Sequence, residues 1–267
     1  MCGFFGCHAA ERAEPDSHSP PQIEAAASSA PSPTASLAPS AAPAATDRAT
    51  PNKNPEAANQ DAGATPSAAR RYVVAAVGDS LTDPRSHGGG YLEYVKARCP
   101  NLELDNFGRG ATMVNQMRKS FDEQIASSPK QYTHLIVFGG VNDLYSDLTA
   151  HRTPAKIETD LDYIYSAAKA RGMKVVALTV APWGGFTRYF NPSRAEATHT
   201  LNAWIREQPA HGHVDAVVDA FKLLSCGDPD VLCERFFAPF KDGIHFGPGG
   251  HQLLGEALYR AVFADCS

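Results

Sequence analysis

The sequence predicts a three-layer α/β/α sandwich over residues 71–267, built on a central, mostly parallel five-stranded sheet. Three observations carry that reading. Short apolar runs recur along the chain from Arg71 onward, stretches of helical spacing separate them, and residues 1–70 share neither pattern.

Those first 70 residues are mostly Ala, Pro, Ser and Thr, as in Ala30-Pro31-Ser32-Pro33 and Ser40-Ala41-Ala42-Pro43. With hardly any bulky apolar side chain, the segment cannot offset its ordering entropy by burial, so a disordered, partly extended tether is expected. An alanine-rich helical arm is excluded because proline recurs every few residues.

The elements then follow in order. Tyr72-Val73-Val74-Ala75-Ala76-Val77 is a continuous apolar run, as a strand covered on both faces requires. His134 to Phe138 and Lys174 to Val180 read the same way, while Leu102 to Asp105 and Val214 to Val218 are weaker strands. A helix is expected from near Thr112, with Val114, Met117, Phe121 and Ile125 three and four residues apart. Another follows Pro154, with Ile157, Leu161, Ile164 and Tyr165 on one face, and a last one carries Leu253, Leu254, Ala257, Leu258 and Val262. Strands alternating with helices imply right-handed crossovers. In such a sheet, ligands bind outside the carboxyl ends of the strands, and four segments fall there.

The first strand ends in Gly78-Asp79-Ser80-Leu81-Thr82, which can project the Ser80 hydroxyl into the crevice. It is not the Gly-x-Ser-x-Gly elbow, because Thr82 stands at the second glycine position. Asn106 to Thr112, with Gly108 and Gly110, lies between a strand and a helix, where backbone N–H groups suit an anion. Gly139-Gly140-Val141-Asn142-Asp143 follows the third strand; the Asn142 amide can donate to an oxyanion, and Asp143 reads as a structural cap. Asp242-Gly243-Ile244-His245 precedes the last helix and supplies a base with the carboxylate that orients it. Taken singly, each segment has an ordinary turn or capping reading.

Together and in this order, the four segments resemble the SGNH (GDSL-like) hydrolase family, over a region from Tyr72 to about Phe263. The resemblance implies a flavodoxin-like sheet and a serine ester hydrolase. It makes Ser80 the nucleophile, His245 the general base and then acid, and Asp242 the carboxylate that orients it. It also implies an oxyanion hole of the Ser80 and Gly110 N–H groups with the Asn142 amide. The second block is one residue shorter than the commoner Asn-x-Gly-x-x-Gly form, which makes Gly108 a competing donor. The substrate expected is a small-molecule or carbohydrate ester, with a short acyl group. Lipase, thioesterase and acyltransferase are alternatives within the family, and a carbohydrate-binding module without activity is the alternative outside it. Trp183, after a strand end, is a candidate substrate contact on the pocket rim with Phe186 and Tyr189, or else a packing residue.

Net charge −5 without Lys/Arg blocks gives no footprint for nucleic acid. No apolar run approaches the length needed to span a bilayer. His211 and His213 lack a third ligand nearby, and nothing demands a metal or organic cofactor. A monomer is expected. Of six cysteines, Cys226 and Cys233 are spaced for a disulfide and Cys99 is a partner for Cys266, free buried thiols being the alternative. Cys2 and Cys7 stand apart. Phe4-Phe5-Gly6-Cys7 resembles the end of a bacterial lipoprotein signal, although the apolar stretch before it is too short for one. An exported enzyme, secreted or held at the cell envelope by a lipidated cysteine, is the expectation.

Overall fold

The computed structural model describes residues 71–266, so the tether expected at 1–70, with Cys2 and Cys7, lies outside the described residues. Five strands, β1 (Val73–Gly78), β2 (Glu103–Asn106), β3 (His134–Phe138), β4 (Lys174–Leu178) and β5 (Ala216–Val218), form a sheet in the order β2-β1-β3-β4-β5. Every pairing is parallel.

β1 is buried along its whole length because helices cover both faces. Val73, Ala75 and Val77 face one core, and Val74 and Ala76 the other. The first core is closed by α2 (Val114–Ser120), α3 (Val141–Tyr145), α5 (Pro154–Ala170) and α6 (Pro192–Glu207). The second is closed by α1 (Gly90–Arg98), α7 (Ala220–Leu224) and α8 (Pro248–Leu258). A short exposed helix, α4 (Asp147–Ala150), links α3 to α5. From β1 the chain passes to β2 on one side and later to β3 on the other. The winding therefore reverses between β1 and β3, and a crevice opens at their carboxyl ends.

Two features depart from the expectation. The sequence pattern did not reveal α6, because the side it buries includes Arg194, Thr198 and Asn202 beside Leu201 and Ile205. Those polar groups hold the segment after β4: Asn202 accepts from the Val180 N–H at 2.7 Å and donates to the Val180 carbonyl at 3.1 Å. The second departure is a hairpin of β6 (Ser225–Cys226) and β7 (Asp228–Leu232), two strands beyond the five that the apolar runs announce.

Both expected disulfides are present. Cys226–Cys233 closes the hairpin, and Cys99–Cys266 ties the end of α1 to the chain beyond α8, with Cα atoms 5.5 Å apart. The second bridge spans 167 residues, so it removes far more freedom from the unfolded chain than the first, which spans 7. Replacing Cys99 and Cys266 by alanine together is expected to cost about 2–5 kcal/mol in denaturant unfolding, and the Cys226/Cys233 pair less. Equal losses would show that loop size is not what matters here.

Candidate active site

Ser80 lies at the tip of a tight turn after β1. The Asp79 carbonyl accepts from the Thr82 and Asp83 N–H groups at 3.1 and 2.9 Å, and its carboxylate accepts from Leu81 N–H at 2.9 Å. These bonds leave the half-buried Ser80 hydroxyl facing the crevice. Behind it the chain passes so close at Gly88 that a Cβ there would lie 2.2 Å from the Ser80 carbonyl oxygen, so only glycine fits.

The loop before α8 brings the His245 imidazole to this hydroxyl. Gly243, with φ +78, lets the chain turn hard against Gly185, where a Cβ would lie 2.1 Å from the Gly185 carbonyl carbon. Asp242 then folds back on its own loop. One carboxylate oxygen accepts from the Ile244 and His245 N–H groups at 2.9 and 2.8 Å, and the other faces His245 Nδ1 at 2.6 Å. Partial burial pushes the Asp242 carboxyl up, but the bonds from His245 and Ile244 outweigh it and hold the group below the usual range. An ionised carboxylate only accepts, so Nδ1 carries the proton and Nε2 presents a lone pair. That lone pair faces Ser80 Oγ at 2.8 Å.

The other two segments line the same crevice. Asn142, at the start of α3, is buried and donates one amide hydrogen to the Thr112 carbonyl at 3.0 Å, which leaves the other for a ligand. Asp143 has the structural role expected. Fully buried, it accepts from Val114 N–H at the start of α2 and from Arg152 Nε at 2.7 Å, and Arg152 also donates to Asp160. It thereby fixes α3, and with it Asn142, against α2 and α5.

The glycines of the second segment are a correction. Gly110 lines the crevice, but its N–H donates to Asp83 Oδ2 at 2.9 Å, and the Gly108 N–H donates to Asn106 Oδ1 at 2.8 Å. Neither is free for an oxyanion. Asp83 is buried and is also bound by the Arg85 N–H and side chain, so its carboxylate competes successfully for the Gly110 donor. The N–H groups of Ser80 and Ala111 have no acceptor among the described residues.

The crevice encloses about 490 Å³, with Val141, Tyr145, Phe186 and Ile244 as its apolar wall. Trp183 is not on it, a second correction. It is 1% exposed, donates to Thr198 Oγ1 at 2.9 Å, and packs edge-on against Phe190. An indole N–H can be buried only with a partner, and Thr198 on the unrecognised α6 supplies one. Of its expected companions, Phe186 does line the crevice and Tyr189 packs on Phe186. Tyr145 and Phe240 were missed. Tyr145 follows Asn142 by three residues on one short helix, a spacing that could have shown it. Among the described residues no cluster of His, Cys, Asp or Glu is placed to hold a metal, and no helix is long and apolar enough to cross a membrane.

A model of the GDSL-like lipase/acylhydrolase family matches residues 76–253. No curated protein matches significantly. Solved structures of the same fold include an acetyl xylan esterase, 19% identical with TM-score 0.58, covering 72% of this chain and 100% of that one. A variant of Axe2, an acetyl-xylooligosaccharide esterase from Geobacillus Stearmophilus, is 16% identical with TM-score 0.55, covering 71% and 93%. A GDSL-like lipase from Bacteroides thetaiotaomicron VPI-5482 is 18% identical with TM-score 0.55, covering 70% and 86%.

Asp79, next to the serine, is 1% exposed, and burial raises its carboxyl to about 7. An unfolded aspartate loses its proton near about 4. Between those values the folded chain binds more protons than the unfolded one, so the stability Asp79 contributes is complete in acid and is lost as pH rises through 7. Asp79→Asn keeps an acceptor for Leu81 N–H but cannot ionise. The melting temperature of the variant relative to the parent is therefore expected to rise from pH 5 to pH 8. A constant difference would mean that Asp79 does not titrate in this window.

Proposed function

This chain belongs to the GDSL-like lipase/acylhydrolase family of ester-bond hydrolases, and from that premise we propose that it cleaves small carboxylic esters through an acyl-enzyme on Ser80. The observation that carries the proposal is the unbroken line Asp242 Oδ2, His245 Nδ1, His245 Nε2, Ser80 Oγ, with separations of 2.6 and 2.8 Å.

The steps follow from who holds each proton. Ser80 Oγ gives its proton to His245 Nε2 as it attacks the ester carbonyl, and Asp242 stabilises the imidazolium that forms. The tetrahedral oxyanion is met by the Ser80 N–H and the second Asn142 amide hydrogen. The Ala111 N–H is the backbone donor left on its loop, since Gly110 is committed to Asp83. His245 then protonates the leaving oxygen, and the alcohol departs. Water enters, gives a proton to the same nitrogen and attacks the acyl-enzyme; the acid leaves and Ser80 regains its proton.

A short acyl group suits the crevice. The Tyr145 and Phe186 rings wall the crevice and meet edge to face with centroids 6.0 Å apart, and it is against this wall that we place the acyl group. Acetyl esters, including acetyl groups on carbohydrate, are the substrate class we favour; the two acetylesterases of like fold are consistent with this. Export to the cell envelope, with residues 1–70 as a tether, belongs to the same proposal and rests on sequence composition and the cysteine pairs.

Hydrolysis of p-nitrophenyl esters from acetyl to palmitoyl tests the reading. Ser80→Ala is expected to lower turnover by about four to six orders of magnitude, and near-normal rates in that variant would end the assignment. The acetyl ester should be the best substrate. Phe186→Ala should improve octanoyl over acetyl by about tenfold or more, through the lost wall. An unchanged chain-length profile would place the acyl group elsewhere.

A further inference from the structure

A second cavity adjoins the site on the side of the base. It encloses about 680 Å³ and is walled by Tyr94, Pro239, Phe240, Pro248 and the His87 ring, with glycine backbone between them. Among the described residues no Asp, Glu, Lys or Arg lines it. Its one deeply buried titratable ring, His251, is held neutral, since burial drives its pKa down to about 4. The volume falls in the range of pockets that hold small organic ligands, and the walls are mostly rings and glycine backbone, with the two histidines and Gln252 as their polar groups.

Three contacts join this cavity to the reaction centre. Phe240 lines both spaces, and its ring centroid lies 5.8 Å from that of His245. The His87 ring follows, 6.0 Å beyond Phe240. Gly88, in the cavity wall, packs directly on the Ser80 carbonyl. The other large cavity next to the site, about 880 Å³, meets it through Gly110 and Ala111, on the loop assigned to the oxyanion rather than on the one that carries the base.

The chemistry says which half of the ester belongs here. His245 Nε2 must hand its proton to the leaving oxygen, so that oxygen and the group attached to it depart beside the imidazole. Resting on the proposed acyl-enzyme reading, we propose that the cavity behind Phe240 is the leaving-group subsite, and that it takes an alcohol built on an uncharged ring. A flat ring presents either a π face or the C–H face of a pyranose to Phe240 and Tyr94, and both gain from leaving water. The enzyme would thus be selective at both ends of its substrate, with a short acyl group toward Phe186 and a ring alcohol beyond Phe240.

Gln252 lines the cavity from the exposed side of α8, away from the catalytic groups, and so allows the space to be filled without touching them. The test compares the acetates of ethanol, of benzyl alcohol and of a methyl pyranoside. In the parent enzyme, kcat/KM for at least one ring acetate should exceed that for ethyl acetate by about tenfold, and which one leads separates an aromatic from a sugar alcohol. Gln252→Trp should abolish that advantage by slowing the ring acetates about tenfold more than ethyl acetate, and Gln252→Ala should preserve it. A parent indifferent to the alcohol, or a Gln252→Trp variant that slows all three equally, overturns the subsite and leaves the acyl-enzyme reading standing. A readout without turnover keeps the two apart. Benzyl alcohol and methyl pyranoside are titrated into Ser80→Ala by calorimetry; saturable binding of either, lost in Ser80→Ala/Gln252→Trp, supports the subsite even if no ester is cleaved. Failure of both to bind at millimolar concentration overturns it.

Discussion

An imidazole that must accept from a hydroxyl on one nitrogen and donate to a carboxylate through the other can be satisfied in very few positions, and that demand organises the carboxyl edge of this sheet. Ser80 and His245 are 165 residues apart, and one hydrogen bond of 2.8 Å joins them. The turn after β1 sets one end, through the bonds to Asp79 and the close approach of Gly88. The loop before α8 sets the other, through the two N–H bonds to Asp242 and the contact of Gly243 with Gly185. Neither loop is held by apolar packing alone. Backbone donors and glycine-only approaches position the atoms, and the two cores hold the elements from which those loops spring.

Behind that line stands a second layer of buried carboxylates, each with its own partners. Asp83 binds the Gly110 N–H and Arg85, and Asp143 binds Val114 N–H and Arg152. Asp79 is bonded to Leu81 N–H but has no salt-bridge partner among the described residues, and burial leaves it the most perturbed of the acids at the site, raised to about 7. Removing a partner from a buried charge is costly, so this layer rigidifies the crevice and also makes it sensitive to substitution. The same logic applies to α6, whose Thr198 and Asn202 hold Trp183 and Val180 and so steady the segment that carries Phe186 to the wall of the crevice.

Much of this was legible in the sequence, and for identifiable reasons. β1, β3 and β4 are buried on both faces, so they read as unbroken apolar runs. α5 keeps Ile157, Leu161, Ile164 and Tyr165 on a single face behind a Thr153-Pro154 start. Ser80, Asn142, Asp242 and His245 meet in one crevice, as their motif order implied. What escaped depends on contacts between distant residues. The Gly110 N–H looked available because nothing near it in sequence announces Asp83, 27 positions earlier. Trp183 looked like a rim residue because its polar partner, Thr198, lies on a helix whose buried face is too polar to show apolar periodicity. Phe240 gave no signal at all. Its importance comes from standing between two cavities, which no local pattern encodes.

The central claim is that His245 activates Ser80, and labelling by a fluorophosphonate tests it most directly, because only an activated serine reacts quickly with that electrophile. Tryptic mapping of the intact chain after brief exposure should find one phosphonyl group per molecule, on Ser80, with labelling slowed by orders of magnitude in His245→Ala. A folded protein that takes no label, or takes it on another residue, or labels Ser80 at an undiminished rate without His245, would contradict the claim.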